Sequence, residues 1–296
     1  MRDPFSSYHP ILNFGYFTVM LLSSMFFMHP VFQGIALLSA VTYSLLLKGR
    51  SGVKFHMLYM LPLLLFMAAM NPAFNHAGVT ILFYLKSGNP VTLESIVFGV
   101  SAACMFVTVI IWFSCYNAVM TSDKFIYIFG KILPSLSLIL SMVLRFVPRY
   151  IAQMKTISNA QKCIGRDMSQ GNMLQRARNG IAILSILTTW ALENAIETAD
   201  SMKSRGYGQH GRTSYSNFRF DRRDRIMLAV LAGLIACVLV GAVLGENTIR
   251  FFPSIKVSVV TPVSYAVYIA YFALCTIPVQ VAIMEEVKWK YIESKT

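Results

Sequence analysis

Apolar runs broken by short polar joints fill both ends of this chain. Runs near the roughly 20 residues that cross a bilayer as a helix lie at Ile11–Met28, Val31–Leu47, Met57–Ala73, Ile96–Met120, Ile226–Leu244 and Pro262–Met284. They predict six transmembrane helices, four within residues 1–120 and two within 226–296. The first begins close to the N-terminus with no small-residue cleavage site behind it, so it is expected to remain as a helix and not to be removed as a signal peptide.

Residues 121–225 follow another pattern. Leu133–Val147 is apolar but only about 15 residues long, with basic sequence on both sides, so it is expected to lie along the membrane interface and not to cross. Pro148 suits the first turn of a new helix, where its missing N–H costs nothing. Along that helix Tyr150, Met154, Ile157 and Ile164 fall near one face, while Arg149, Gln153, Asn159 and Lys162 lie mostly away from it. Gly165 is placed to end it.

A second helix is predicted from about Met173 to Ser204. Its middle, Ile181–Leu192, is apolar on all sides yet too short to span, and must be covered by protein or embedded near the interface. Its last part turns amphipathic, with Leu192, Ile196, Ala199 and Met202 along one stripe, and Gly206 and Gly208 are expected to stop it, the latter outside the residues that the structure describes. Each helix thus finishes with an arginine beside a glycine, in Gly165-Arg166-Asp167 and Ser204-Arg205-Gly206. If the helices cross or run antiparallel, Arg166 and Arg205 are well separated and can engage two different partners.

Composition agrees with the pattern. Apolar residues make up 56% of the 296, charged residues only 13%, and the mean hydropathy is +0.58, a balance that a water-soluble domain of this length does not show. The fold class expected is an all-α polytopic membrane protein. Charge adds an orientation, because Lys and Arg in short loops stay on the cytoplasmic side. With the N-terminus inside, only Lys86, Arg250 and Lys256 of the 26 basic residues fall outside, so both termini are expected in the cytoplasm of a multi-pass cell-membrane protein.

Between Met120 and Arg225 there are 16 Lys and Arg against 7 Asp and Glu, which concentrates the formal charge of +13 in one segment. Anionic lipid accounts for that attraction at about 1 kcal/mol per basic residue near the surface. Nucleic acid is not expected as a partner, since no nucleic-acid-binding signature accompanies the charge. The five cysteines are odd in number, far apart and without a C-x-x-C pair, which points to packing and away from disulfides or zinc. Gly241 and Gly245 have the spacing of close helix packing.

The two arginine turns, taken with Leu144-Arg145-Phe146-Val147-Pro148, Ala160-Gln161-Lys162, Ser122-Asp123-Lys124-Phe125 and Tyr8-His9-Pro10, resemble the transmembrane T component of energy-coupling factor transporters. The likeness runs in order from residue 8 to about residue 225. It implies a non-enzymatic module with no cofactor of its own: two cytoplasmic ABC ATPases hold the ATP, and a separate membrane S component binds the vitamin or metal ion. Residues 121–225 would be the cytoplasmic coupling module. Gly165, Arg166, Ser204, Arg205 and Gly206 would engage the ATPases, with Arg145, Pro148, Ala160 and Gln161 supporting the helices. Arginine suits that contact because its planar fork holds a carboxylate in two bonds and keeps its charge when partly buried. Ile151, Met154, Ile157, Ile186 and Ile196, on the apolar faces of the two helices, are candidates for the S-component contact. One departure stands out: the family has small residues on both sides of each arginine, but Asp167 follows Arg166 here and is expected to pair with it.

Two other classes fit less well. An intramembrane enzyme needs more than Glu193 with Glu197 and Glu285-Glu286: the five histidines are scattered, and neither H-E-x-x-H nor a phosphate-binding G-x-x-x-x-G-K-[ST] loop is present. A self-sufficient permease places ionisable groups or broken helices at the midplane. The spans here hold few polar groups, and Pro62 and Asn71-Pro72 read as kinks as readily as breaks.

Overall fold

The computed structural model describes residues 3–84, 90–130, 132–167, 171–207, 218–257 and 261–294. After a 3-10 turn at Pro4–Ser7, the helices in order are α1 (Pro10–Phe26), α2 (Pro30–Lys48), α3 (Arg50–Phe55), α4 (Leu61–Phe74), α5 (Leu93–Val119), α6 (Ser122–Gly130), α7 (Pro134–Cys163), α8 (Met173–Ser204), α9 (Arg222–Val243) and α10 (Pro262–Glu293). A π turn at His56–Met60 joins α3 to α4. Two short antiparallel hairpins, β1 (Ile81–Tyr84) with β2 (Pro90–Thr92) and β3 (Ile249–Arg250) with β4 (Lys256–Val257), complete the described elements.

Proline and its neighbours place the helix starts. α1, α2, α4, α7 and α10 each carry proline in the first turn, where its fixed φ is already helical and no N–H is wasted. A His-Pro pair opens both α1 and α2. In each, the imidazole Nδ1 accepts from the backbone two residues on, Ile11 for His9 and Val31 for His29, at 3.3 Å. Thr92 caps α5, and capping boxes at Asp221/Asp224 and Thr261/Ser264 open α9 and α10.

Among the described residues, six helical stretches are long and apolar enough to cross a membrane: α2, Arg50–Phe74, α5, Ser135–Cys163 of α7, α9 and α10. The protein is an all-α polytopic membrane protein. The number matches the sequence expectation, but the membership differs. α1 has 17 residues, at the short end of what spans a bilayer, and α7 joins the set because it is one helix of 30 residues with Pro148 inside it. Pro148 therefore does not open a new helix. The change from apolar to basic sequence there falls within a single helix. Pro72 likewise sits inside α4, while Pro62 lies in its first turn after the π turn.

The chain divides into two compact units, one formed by residues 1–124 with 218–296 and the other by 125–217. The first unit is built around α1. Tyr16, Phe17 and Met20 of that helix are buried with Phe5, Tyr43 and Trp112, and the rings meet edge to face: Phe5–Tyr16 at 5.1 Å, Tyr16–Trp112 at 6.0 Å and Phe17–Trp112 at 6.3 Å. The Tyr16 hydroxyl donates to the Cys275 carbonyl at 3.1 Å. All five cysteines are free, and Cys115 and Cys275 are buried. Gly241 of α9 faces Val267, where a Cβ would stand 2.5 Å from a methyl. Gly245 instead terminates α9 with φ +83°, so only the first glycine of that pair packs helices together.

Polar locks tie the N-terminal turn to this bundle. The buried Lys124 ammonium donates to the Ser6 carbonyl at 2.5 Å, the Ser6 hydroxyl at 3.0 Å and the Val119 carbonyl at 3.1 Å. Burial pushes Lys124 below the ordinary lysine value, and nearby Asp3 acts in the opposite direction. The Tyr43 hydroxyl donates to Asp3 at 2.7 Å. Arg223 lies over the Tyr8 ring at 4.3 Å and 3.7 Å from Glu285. Tyr8-His9-Pro10 and Lys124 thus hold the ends of helices together.

Candidate functional site

The second unit carries the two arginine turns, on α7 and α8. These helices pack against each other through few side chains. Ile157 and Ile183 are buried, the Tyr150 ring meets Trp190 edge-on at 5.5 Å, and Arg149 lies over the same indole at 5.5 Å. A cleft of about 490 Å³ runs between the helices beside Met154, Lys155, Asn159, Lys162, Gly180 and Leu184. At its far end the Asn179 amide donates to the Asp167 carbonyl at 3.0 Å, which pins the segment after α7 to the beginning of α8.

Both arginine turns close by the same hydrogen bonds. After α7, Gly165 has φ +78° and donates to the Lys162 carbonyl at 3.0 Å, and the Arg166 N–H reaches back to Gln161 at 2.9 Å. After α8, Gly206 has φ +78° and donates to Lys203 at 2.9 Å, and the Tyr207 N–H reaches back to Met202 at 2.9 Å. This paired pattern satisfies carbonyls that a helix end leaves open, and it requires the left-handed residue that glycine supplies. The Ser204 hydroxyl bonds within its own last turn, to the Ser201 carbonyl at 2.9 Å.

Arg166 and Arg205 are both exposed, and neither forms an ion pair among the described residues. They are far apart. Asn179 is bonded to the residue after Arg166, and Arg205 lies 26 residues further along α8, about 40 Å at 1.5 Å per residue. Asp167 does not pair with Arg166 as expected; its carboxylate stands 3.8 Å from the Lys162 ammonium. The turn folds the chain back so that Asp167 lies near Lys162 in the last turn of α7.

The remaining candidates spread along the pair. Arg145, Pro148 and Ala160 are exposed, and Gln161 is half-buried and supplies the carbonyl that closes the α7 turn. Of the apolar set, Ile157 is 7% exposed and belongs to the α7–α8 packing, whereas Ile151, Met154, Ile186 and Ile196 are exposed by 42–65%. The Tyr150, Arg149 and Trp190 clamp and the Asn179 tether were not foreseen. The adjacent Arg149 and Tyr150 are the sequence signal for the clamp, and the tether has none.

Other acidic candidates have structural occupations. Glu285 meets Arg223, and Glu286 lies 3.0 Å from Lys290 one turn along α10. Among the described residues no group of three His, Cys, Asp or Glu is arranged to hold a metal ion.

These features define a class: a polytopic helical membrane protein with a loosely packed, basic helix pair that ends in two exposed arginine turns. Residues 13–215 match the family described as cobalt transport protein, CbiQ. The chain belongs to this family, that of the T components of energy-coupling factor transporters. It is similar to the energy-coupling factor transporter transmembrane proteins EcfT of Lactobacillus helveticus, 36% identical over 114 residues, and of Streptococcus thermophilus, 38% identical over 125 residues. The first match covers 38% of this chain and 41% of the relative, the second 41% and 47%. The matched segments span less than half the length of these relatives.

Proposed function

We propose that this chain is the energy-coupling scaffold of a micronutrient transporter. Two cytoplasmic ABC ATPases bind the turns at Arg166 and Arg205, and their ATP-driven movement is passed through α7 and α8 to a membrane S component that carries a vitamin or metal ion. The chain itself binds no ATP or other cofactor and catalyses no reaction. The observation that carries this reading is the pair of turns: two helix ends with the same hydrogen bonds, exposed arginines and about 40 Å between them suit two partner subunits and not one ligand.

Topology supports the same side for both turns. With both termini in the cytoplasm, α1 crosses in place of α7, because only then do Arg145, Arg149, Lys155 and Lys162 stay inside, and the apolar half of α7 at 134–147 lies in the inner interface. The lipid bilayer covers that half. Arg250 and Lys256 then fall outside, and Lys86 lies outside the described residues.

The test is assembly. With the tagged chain produced beside its ATPases, Arg205→Glu lowers ATPase co-purification more than Arg205→Lys, because it adds repulsion to the loss of the fork. Truncating one member of a buried charge pair costs about 2–5 kcal/mol. Unchanged co-purification in both variants sinks the assignment. In liposomes the isolated chain shows neither ATP hydrolysis nor uptake, while the complex with ATPases and S component shows ATP-dependent uptake. Uptake by the chain alone would mark it as a permease in its own right.

A further inference from the structure

The two turns share a backbone but not the side chain at the matching position. Aligned by their hydrogen bonds, Gly165 corresponds to Gly206, and Arg166 corresponds to Tyr207, since each sends its N–H to the carbonyl five residues back. The residue before each glycine is the C-cap: Arg205 on α8 and Ile164 on α7. Arg166 is therefore not the counterpart of Arg205. Ile164 is, and it is 63% exposed at the tip of a strongly basic unit.

The charges around the two turns differ as well. On α7, Lys162 is occupied by Asp167, which leaves Arg166 as the cation of that turn. On α8, Lys203 and Arg205 are both exposed without an ion pair among the described residues, and residues 201–207 contain no acid. One surface is a double cation and the other an isoleucine with a cation at its side.

We infer that Ile164, not Arg166, is the docking residue of the α7 turn, and that the two turns fit chemically different surfaces on two non-identical ATPases. The inference rests on reading this unit as the ATPase-coupling module. An acidic socket matched to Arg205 would keep its carboxylates buried and unpaired if isoleucine entered it, a heavy penalty. An apolar socket would likewise strip water from an arginine without pairing it. The α8 turn takes a carboxylate-lined socket; the α7 turn takes an apolar one with a carboxylate on its rim for Arg166. Specificity of this kind comes from what each socket rejects as much as from what it holds. The α8 contact is weakened by salt, and the α7 contact much less.

The test uses the intact complex, with the retention of each ATPase by the tagged chain measured at low and high salt. Ile164→Asp and Ile164→Arg each lower retention of one ATPase about tenfold or more, the equivalent of about 1.4 kcal/mol, and Ile164→Val keeps it. Arg166→Ala has a smaller effect on that ATPase, and Arg205→Glu releases the other one. High salt acts like Arg205→Glu and spares the Ile164 contact. The inference is overturned if Arg166→Ala releases an ATPase as fully as Arg205→Glu does while Ile164→Asp and Ile164→Arg retain both. If Arg205→Glu also retains both, it is the coupling-module reading that fails. If both Ile164 variants and Arg205→Glu release the same ATPase, the idea of two separate sockets is lost.

Discussion

The unit around α1 and the unit of α7 and α8 fold by different means. In the first, five aromatic rings from residues 5 to 112 are packed edge to face and fully buried, and polar locks close the ends of the helices. In the second, Ile157 and Ile183 are the buried hydrophobic residues among those described, and long apolar stretches of both helices are uncovered. The first unit therefore specifies its own packing. The second is shaped by local signals, namely a proline start, two glycine ends and a small aromatic clamp, and leaves most of its apolar surface exposed.

The comparison breaks most readily at the tryptophans. Trp112 is fully buried, whereas Trp190 is half-buried between Tyr150 and Arg149. Trp112→Ala leaves a cavity and forfeits the dispersion contacts of the whole ring, at about 3 kcal/mol. Trp190→Ala removes one ring contact and one cation–π contact, together about 1–2 kcal/mol. Thermal unfolding in mild detergent is expected to show a large loss for the first and a small one for the second. Equal losses would mean that the α7–α8 pair is as tightly specified as the bundle.

How far the sequence foretold this difference depends on the range of the forces involved. Gly165 and Gly206 were legible as helix ends because the left-handed conformation is a one-residue requirement. The spans were legible because a bilayer demands length and apolarity within a single run. The aromatic cluster was not, since residues 5, 16, 43 and 112 are joined only by the fold. Nor was the continuity of α7: proline is a strong local signal, and here the flanking helix carries through it. The equivalence of Ile164 and Arg205 was hidden for a subtler reason. Both motifs place arginine next to glycine, but the cap is defined by which residue precedes the glycine, and hydrogen bonds were needed to show it.

Two glycines sharpen the comparison at an intermediate scale. Gly241 is required by space, because a Cβ there would stand 2.5 and 2.6 Å from the two Val267 methyls. Gly165 is required by conformation, with φ +78° and nothing within 4 Å of where its Cβ would be. Gly241→Ala is expected to cost about 1–3 kcal/mol through overpacking and to be partly rescued by Val267→Ala, a coupling that a double-mutant cycle measures. Gly165→Ala costs about 1–2 kcal/mol of backbone strain, and no neighbouring truncation relieves it. Gly165→Asn relieves part of it, since asparagine tolerates the left-handed region.

The smallest expected effect is a pH dependence confined to the first unit. Glu246, in the segment between α9 and α10, accepts hydrogen bonds from the Ser264 and Thr261 hydroxyls, the latter at 2.8 Å. The Ser264 bond, followed by the Thr261 bond, holds its carboxyl below the ordinary glutamate value of 4.5, and His29 nearby acts in the same direction. A carboxyl whose folded value is lowered adds stability that is fully present above the unfolded value and is lost as pH falls through the folded one. The wild-type protein should therefore melt above the Glu246→Gln variant at neutral pH, with the gap closing as the solution is acidified past 4.5. Other carboxyls titrate in the same range, but they do so in both proteins, so the difference between the two melting curves isolates Glu246. A constant gap across that range would show that the carboxylate charge contributes nothing to this cap. A gap that closes ties Glu246 to the cap of α10 within the first unit, in contrast to the turns of α7 and α8, where Arg166 and Arg205 form no ion pair among the described residues.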